Sequence, residues 1–444
     1  MTTGLFGGLF ARGNVDASDA AWLQAMLDTE AALARAAERA GLAPTGSAAA
    51  VTAKSKTEFF ENRTLGEQAV ATGNPVPALV RELTRLSGAP VHHGATSQDI
   101  IDTAGVLIAR RAIDVVLADL SAAAATCAGL ATNDAVMSGR TLLQQAVPVT
   151  FGLVAAGWLT AIDEARQSLH RVKTTRLAIQ FGGAAGTLAS LGDAGSQVAA
   201  FLAEELDLPL PVLPWHTNRL RIIEIAAALA ETCAALGKIA RDVTLLAQTE
   251  MAEVRAGAGG SSTMPHKQNP VAAITILGCT KQAPGLLATL AAAAEQEHQR
   301  AAGSWHSEWQ PFSHLLTLTG SATSWSIQLL SDLEIDPARM RANLNATHGL
   351  PMAESVTTLL TPALGRLQAH DLVAQASARA TTRNTNLADA LLSDDTSAAA
   401  LATAGITRPE LESALEPESY LGATAEFIRR ALAAHSATDE ILGT

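Results

Sequence analysis

From about Ile100 onward the chain reads as one very long helix after another. The apolar residues recur at helical spacing over roughly 100–131, 142–177, 220–254, 270–299 and 308–333. No stretch alternates apolar and polar residues long enough to suggest a strand. Helices of this length reach roughly 40 Å or more, and burying them requires antiparallel packing or partner chains. The residue types agree with this reading. The sequence is 48% hydrophobic but only 4% aromatic, and the apolar share is mostly Ala and Leu, which favour helix and close helix–helix approach.

The flanking segments are shorter. Residues 1–15 read as extended or loop, with Arg12 as the one cation. Ser18 or Asp19 can cap a helix through WLQAMLDTEAALARAAERAG, in which Leu23, Met26, Leu27 and Ala31 share a face and Gly41 ends the run. Helical patterns follow over 49–60 and 77–86, separated by a turn at Gly73-Asn74-Pro75. Shorter helices, including 421–432, fill the tail from Ser355. The expected fold is all-α in three helical domains: 1–103, a long-helix bundle over 104–354, and 355–444.

Charge and composition exclude several classes. With 31 basic against 43 acidic residues the net charge is −12, so a nucleic-acid surface is not expected. A local cluster of cations could still bind an anionic small molecule. Cys127, Cys233 and Cys279 lie in apolar helical stretches without metal-ligand spacing, as expected for buried thiols of a cytoplasmic protein. The first residues show neither the basic nor the apolar region of a secretory leader. The most membrane-like run, 146–162, contains Pro148, Thr150, Gly152, Gly157 and Thr160 and reads as a bundle helix. No metal and no cofactor is expected, because neither a metal-ligand pattern nor a phosphate loop is present.

Four polar islands interrupt the apolar helices. The first, 92–99, places His92 in a loop with Thr96, Ser97 and Gln98, uncharged donors that can hold a carboxylate, and ends in Asp99, a helix cap. The second, 138–152, reads as a helix start with Arg140 and Gln144 four apart on one face. The third, 259–270, combines two glycines, two serines, Thr263, His266, Lys267, Gln268 and Asn269 ahead of Pro270. Such clusters are ordinary connectors, yet a mobile loop that carries a base and closes over an anion would use all of these groups. The fourth, 295–311, holds Glu297, His298, Arg300, Trp305, His306, Glu308 and Trp309. Its two tryptophans fit packing, and His306 between them fits a half-buried structural group and a site group equally well.

The third island resembles the signature of the fumarase/aspartase superfamily, G-S-S-x-M-P-x-K-x-N, at every fixed position. The first resembles that superfamily's H-x-G-x-T-S-x-D motif, with His92 as the functional histidine. The second is similar to G-R-T-H-x-Q, except that Leu142 occupies the histidine position. Further likeness runs through LDTEAALARA, GNPVP, the Q-F-G-G-A-A-G-T turn, Trp215-His216 before Arg219, and G-R-x-x-A-H at 365–370. The resemblance implies an enzyme acting on a small polycarboxylate, with Ser261 as base toward a C–H proton and His92 as a second catalytic group. Thr96, Ser97, Gln98, Arg140, Thr141, Gln144, Lys267 and Asn269 are expected to hold the substrate, with Arg12, Arg219 and His306 as further candidates. It also implies a homotetramer whose active sites are shared between chains, with no membrane or nucleic-acid partner.

The departure at Leu142 has a chemical meaning. Amine and hydroxide leaving groups need a proton as they depart, so superfamily lyases keep an acid at that position. A carboxylate that adds or departs is already a stable anion and needs none. The pattern therefore resembles the cycloisomerase branch, in which the substrate's own carboxylate closes onto a diene. An adenylosuccinate-type lyase, with His92 or His306 as replacement acid, and an inactive structural relative are the alternatives.

Overall fold

The computed structural model describes residues 4–257, 259–260, 264 and 266–443. Two compact units emerge, and neither is continuous in sequence. One comprises Met1–Ser121, Glu164–Gly237 and Thr275–Ile327; the other comprises Ala122–Asp163, Lys238–Ile274 and Gln328–Thr444. Their boundaries all fall inside helices.

In the first unit the Asp19–Arg39 helix begins where expected, with Ser18 Oγ accepting from the Ala21 amide at 3.3 Å. It ends in a Schellman turn: Leu42 N–H donates to Ala37 O, and Gly41 N–H to Glu38 O, around Gly41 at φ 77°. Its buried stripe includes Leu23, Met26, Leu27 and Leu33; each such side chain is worth roughly 1.5–3 kcal/mol of apolar transfer. Three shorter helices follow, Ser47–Lys54, Asn62–Thr72 and Val76–Ser87. The middle one was not expected. The next helix, Ser97–Leu130, opens on the first polar island.

The second unit corrects the sequence reading at 142–177. An antiparallel hairpin stands there, Val136–Thr141 paired with Gln144–Thr150, and the helix starts only at Phe151. Leu142 and Leu143 form the two-residue turn, both left-handed at φ 53° and 64°. A tight hairpin turn of this kind usually carries Asn-Gly, and two leucines give no such signal. Pro148, unable to donate to a ladder, pairs with Ser138 next to an irregularity in the register. Gly152 then lets the chain approach closely, since a Cβ there would lie 2.5 Å from both Ala131 O and Asn133 O.

Other expected helices are shorter than predicted. The 220–254 stretch ends at Leu246, and Val254–Ala256 pairs as a strand with Leu333–Ile335. The 270–299 stretch breaks into Val271–Thr280 and Ala283–Ala292, the latter with a proline in its first turn. The helices from Ala353 onward bury a core of their own around Val356, Leu360, Leu387, Leu391 and Leu411.

Candidate active site

The first polar island divides at Gln98. Upstream, His92, Thr96 and Ser97 are half-buried and accessible; downstream, Gln98 and Asp99 are buried. The loop reaches this geometry through two left-handed residues, His92 at φ 62° and Gly94 at φ 66°. A Cβ at Gly94 would meet the Leu191 side chain at 2.5 Å, so both conformation and space require glycine.

Asp99 does not cap the helix as expected but sits inside its first turn and reaches back. One carboxylate oxygen accepts from the Thr96 amide at 3.0 Å and the Gly183 amide at 2.9 Å. The other accepts from Gln180 Nε2 at 3.0 Å, the Gly182 amide at 3.1 Å and His216 Nε2 at 2.6 Å. The motif loop is thereby tied to the glycine turn at 182–186. Gln98 is committed in the same way: its amide donates to Asp102 at 3.1 Å and to His216 O at 2.7 Å, and its oxygen accepts from Arg300. Neither Gln98 N–H remains for a substrate carboxylate, which corrects the expectation for this residue.

Arg219 is corrected likewise. It is 2% exposed, and its Nε–H and both Nη groups are engaged by Glu308, Asp102 and His216 O. All five guanidinium donors thus have partners inside the protein. Burial alone would push this guanidinium down, but Asp102 and Glu308 outweigh it and hold it firmly charged. Burial pushes the Glu308 carboxyl upward, against the pull of Arg219. Trp305 completes the network by donating to Asp102 at 3.0 Å. Its ring packs edge-on against Trp309 at 4.9 Å, and His306, exposed, lies against both indoles. Arg12 stacks its guanidinium 3.9 Å from the centre of the Trp325 ring.

His92 has the partner that the sequence reading missed. Its Nδ1 lies 2.6 Å from Glu30 Oε1, and the Glu30 side chain is wholly buried. Burial opposes the imidazolium, yet the Glu30 hydrogen bond and the charges of Glu30 and Asp99 more than compensate, so His92 is held above its ordinary range. Its neighbour His93 is pushed down, chiefly by burial. Glu30 was legible as an acid among Met26, Leu27 and Ala31 on the apolar face of its helix.

In the second unit Arg140 and Gln144 are not on one helical face. They lie on opposite strands, where Arg140 faces Gln145 and Thr141 faces Gln144. Arg140 forms a bidentate pair with Glu253, which is 0% exposed, at 2.9 and 2.6 Å, so its charge is already neutralised. Thr141, Leu142, Leu143 and Gln144 make an exposed hairpin tip. The base of the signature loop is a short ribbon, Gly259–Gly260 with Gln268–Asn269; Lys267 is exposed and Asn269 half-buried. Ser261 lies outside the described residues, as do Ser262, Thr263 and Pro265. Among the described residues no group of three or more His, Cys, Asp or Glu is arranged to hold a metal ion.

Residues 14–285 match a family described as "Lyase", and residues 349–431 match "Adenylosuccinate lyase C-terminus". The chain belongs to the fumarase/aspartase-type lyases. Among members of this lyase family, a 3-carboxy-cis,cis-muconate cycloisomerase of Bradyrhizobium diazoefficiens is 46% identical over 93% of this chain and 94% of that protein. A nitrosuccinate lyase of Streptomyces davaonensis is 43% identical over 94% and 91%. The crystal structure of the 3-carboxy-cis,cis-muconate lactonizing enzyme from Pseudomonas putida superposes with a TM-score of 0.90 at 40% identity, covering 98% of this chain and 99% of that one. The all-α lyase fold expected from the sequence is the fold observed.

Proposed function

We propose that this chain catalyses the cycloisomerisation of 3-carboxy-cis,cis-muconate to 4-carboxymuconolactone. The observation that carries the reading is the near full-length similarity to a cycloisomerase. Leu142 supports it chemically: the lactone closes through the substrate's own carboxylate, so no acid is needed where other lyases protonate a leaving group. One C–O bond and one C–H bond form at the expense of one C=C π bond; the proton is taken up at the carbon adjacent to the new C–O bond, and no group leaves. Ser261 handles the C–H proton, and Lys267 and Asn269 stabilise the charge that develops on the adjacent carboxylate. His92, Thr96 and Ser97 hold a carboxylate. The exposed apolar tip at Leu142 and Leu143, 97% and 73% exposed, fits a homotetramer in which one chain's hairpin completes another chain's site.

A second reading has support from the nitrosuccinate lyase relative. Nitrite is also a stable leaving anion, so Leu142 fits that elimination equally well. A spectrophotometric assay of the purified protein with 3-carboxymuconate, nitrosuccinate and adenylosuccinate separates these. Loss of the diene absorbance with the first substrate alone supports the cycloisomerase. Turnover of nitrosuccinate alone transfers the assignment to the second reading, and turnover of adenylosuccinate overturns both.

A further inference from the structure

We propose that Glu30 is the positioning residue of the carboxylate site: it fixes Nδ1–H of His92, so that the ring presents a second proton, on Nε2, to a substrate carboxylate. The inference builds on the cycloisomerase reading for its substrate, but its geometry is independent of that reading. Glu30 is fully buried in the Asp19–Arg39 helix. Its Oε1 meets His92 Nδ1 at 2.6 Å, while its Oε2, equally buried, has no hydrogen-bond partner among the described residues. A buried carboxylate that serves the fold alone would have both oxygens satisfied. Here its single bond goes to the half-exposed histidine of the motif loop, and His92 adopts a left-handed conformation, φ 62°, that is uncommon for a side-chain-bearing residue.

The charged and titratable groups around His92 are Glu30 from the Asp19–Arg39 helix, Asp99 from the Ser97–Leu130 helix, and His93 from its own loop. The two acids favour the imidazolium. His93 is shifted the other way, its Nδ1 buried without a partner among the described residues, so His92 is the one of the two whose charged form is favoured. An imidazolium with Nδ1 occupied offers Nε2–H as a charge-assisted donor. Because the second proton is held above the ordinary imidazole range, this donor persists to higher pH than in a free imidazole and is lost as pH rises through the raised value.

The test compares wild type with Glu30→Gln in the intact protein, using diethyl pyrocarbonate, which modifies histidine only in its neutral form. Peptide mapping of the carbethoxylated products follows His92 as a function of pH. The midpoint for His92 in wild type is expected above that of free N-acetylhistidine modified under the same conditions. In Glu30→Gln it is expected to fall, and the alkaline limb of kcat/KM for 3-carboxymuconate should fall with it, carried mainly by KM. Identical His92 midpoints in the two proteins overturn the proposal. Should Glu30→Gln not fold, wild type alone decides, since a His92 midpoint at or below that of free N-acetylhistidine overturns it. A wild type inert toward 3-carboxymuconate refutes the cycloisomerase assignment and leaves the modification profile to judge Glu30.

Discussion

Arg140 and Glu253 are joined by two parallel hydrogen bonds of 2.9 and 2.6 Å, and the carboxylate end of the pair has no access to solvent. Asn343 donates a further bond to Glu253 at 2.9 Å. The arginine of the G-R-T motif is therefore a strut between the hairpin and the segment that leads into the signature loop. Arg140→Leu should destabilise the protein by about 3–5 kcal/mol, because it strands a buried carboxylate. Adding Glu253→Leu should recover a large part of that loss. Urea unfolding of the two single variants and the double variant checks this; strictly additive losses would show that the pair is not coupled.

The hairpin tip makes a second prediction. Leu142 and Leu143 both occupy left-handed conformations, which cost a residue with a Cβ about 1–2 kcal/mol. Replacing them by Asn-Gly suits the turn and should raise thermal stability. The same change removes the apolar surface assigned to the site, so kcat/KM toward 3-carboxymuconate should drop about tenfold or more, a loss of about 1.4 kcal/mol in transition-state binding. A variant that gains stability and keeps full activity would remove Leu142 from the site.

These two leucines also show where sequence reading reached its limit. Ser18 and Gly41 delimited their helix because a cap and a left-handed stop depend on local chemistry that residue type reveals. The hairpin stayed hidden because its turn carries no glycine or asparagine, and its second strand, QQAVPVT, runs into the apolar helix at Phe151 without a polar break. The motif residues were legible as types but not as partners. Nothing in the spacing tells that Arg219 lies between Asp102 and Glu308, or that Gln98 faces Asp102 and His216 O, since those partners come from distant segments.

The cysteines should be inert in the folded protein. Burial pushes the Cys127 and Cys233 thiols up to about 12 and raises Cys279 as well. The thiolate is the reactive form, so iodoacetamide at pH 8 should label none of the three within the time that fully labels the urea-unfolded chain. Mass spectrometry of the intact protein gives the count, and rapid native labelling would contradict the burial of these side chains.

Ser261 carries the chemical step in the proposed reaction, and its removal separates chemistry from binding. A hydroxyl that moves a proton in the transition state is worth about 10²–10⁴-fold in rate. Ser261→Ala should therefore lower kcat by about that factor, with little change in melting temperature and a KM close to that of wild type. Lys267→Met should behave differently: it removes charge from both the bound carboxylate and the transition state, so KM should rise while kcat falls. The two variants, assayed side by side against 3-carboxymuconate, distinguish a proton-transfer group from an anion-holding one. If Ser261→Ala retained most of the wild-type kcat, the C–H proton would have to be assigned to another group, with His92 the first to be tested.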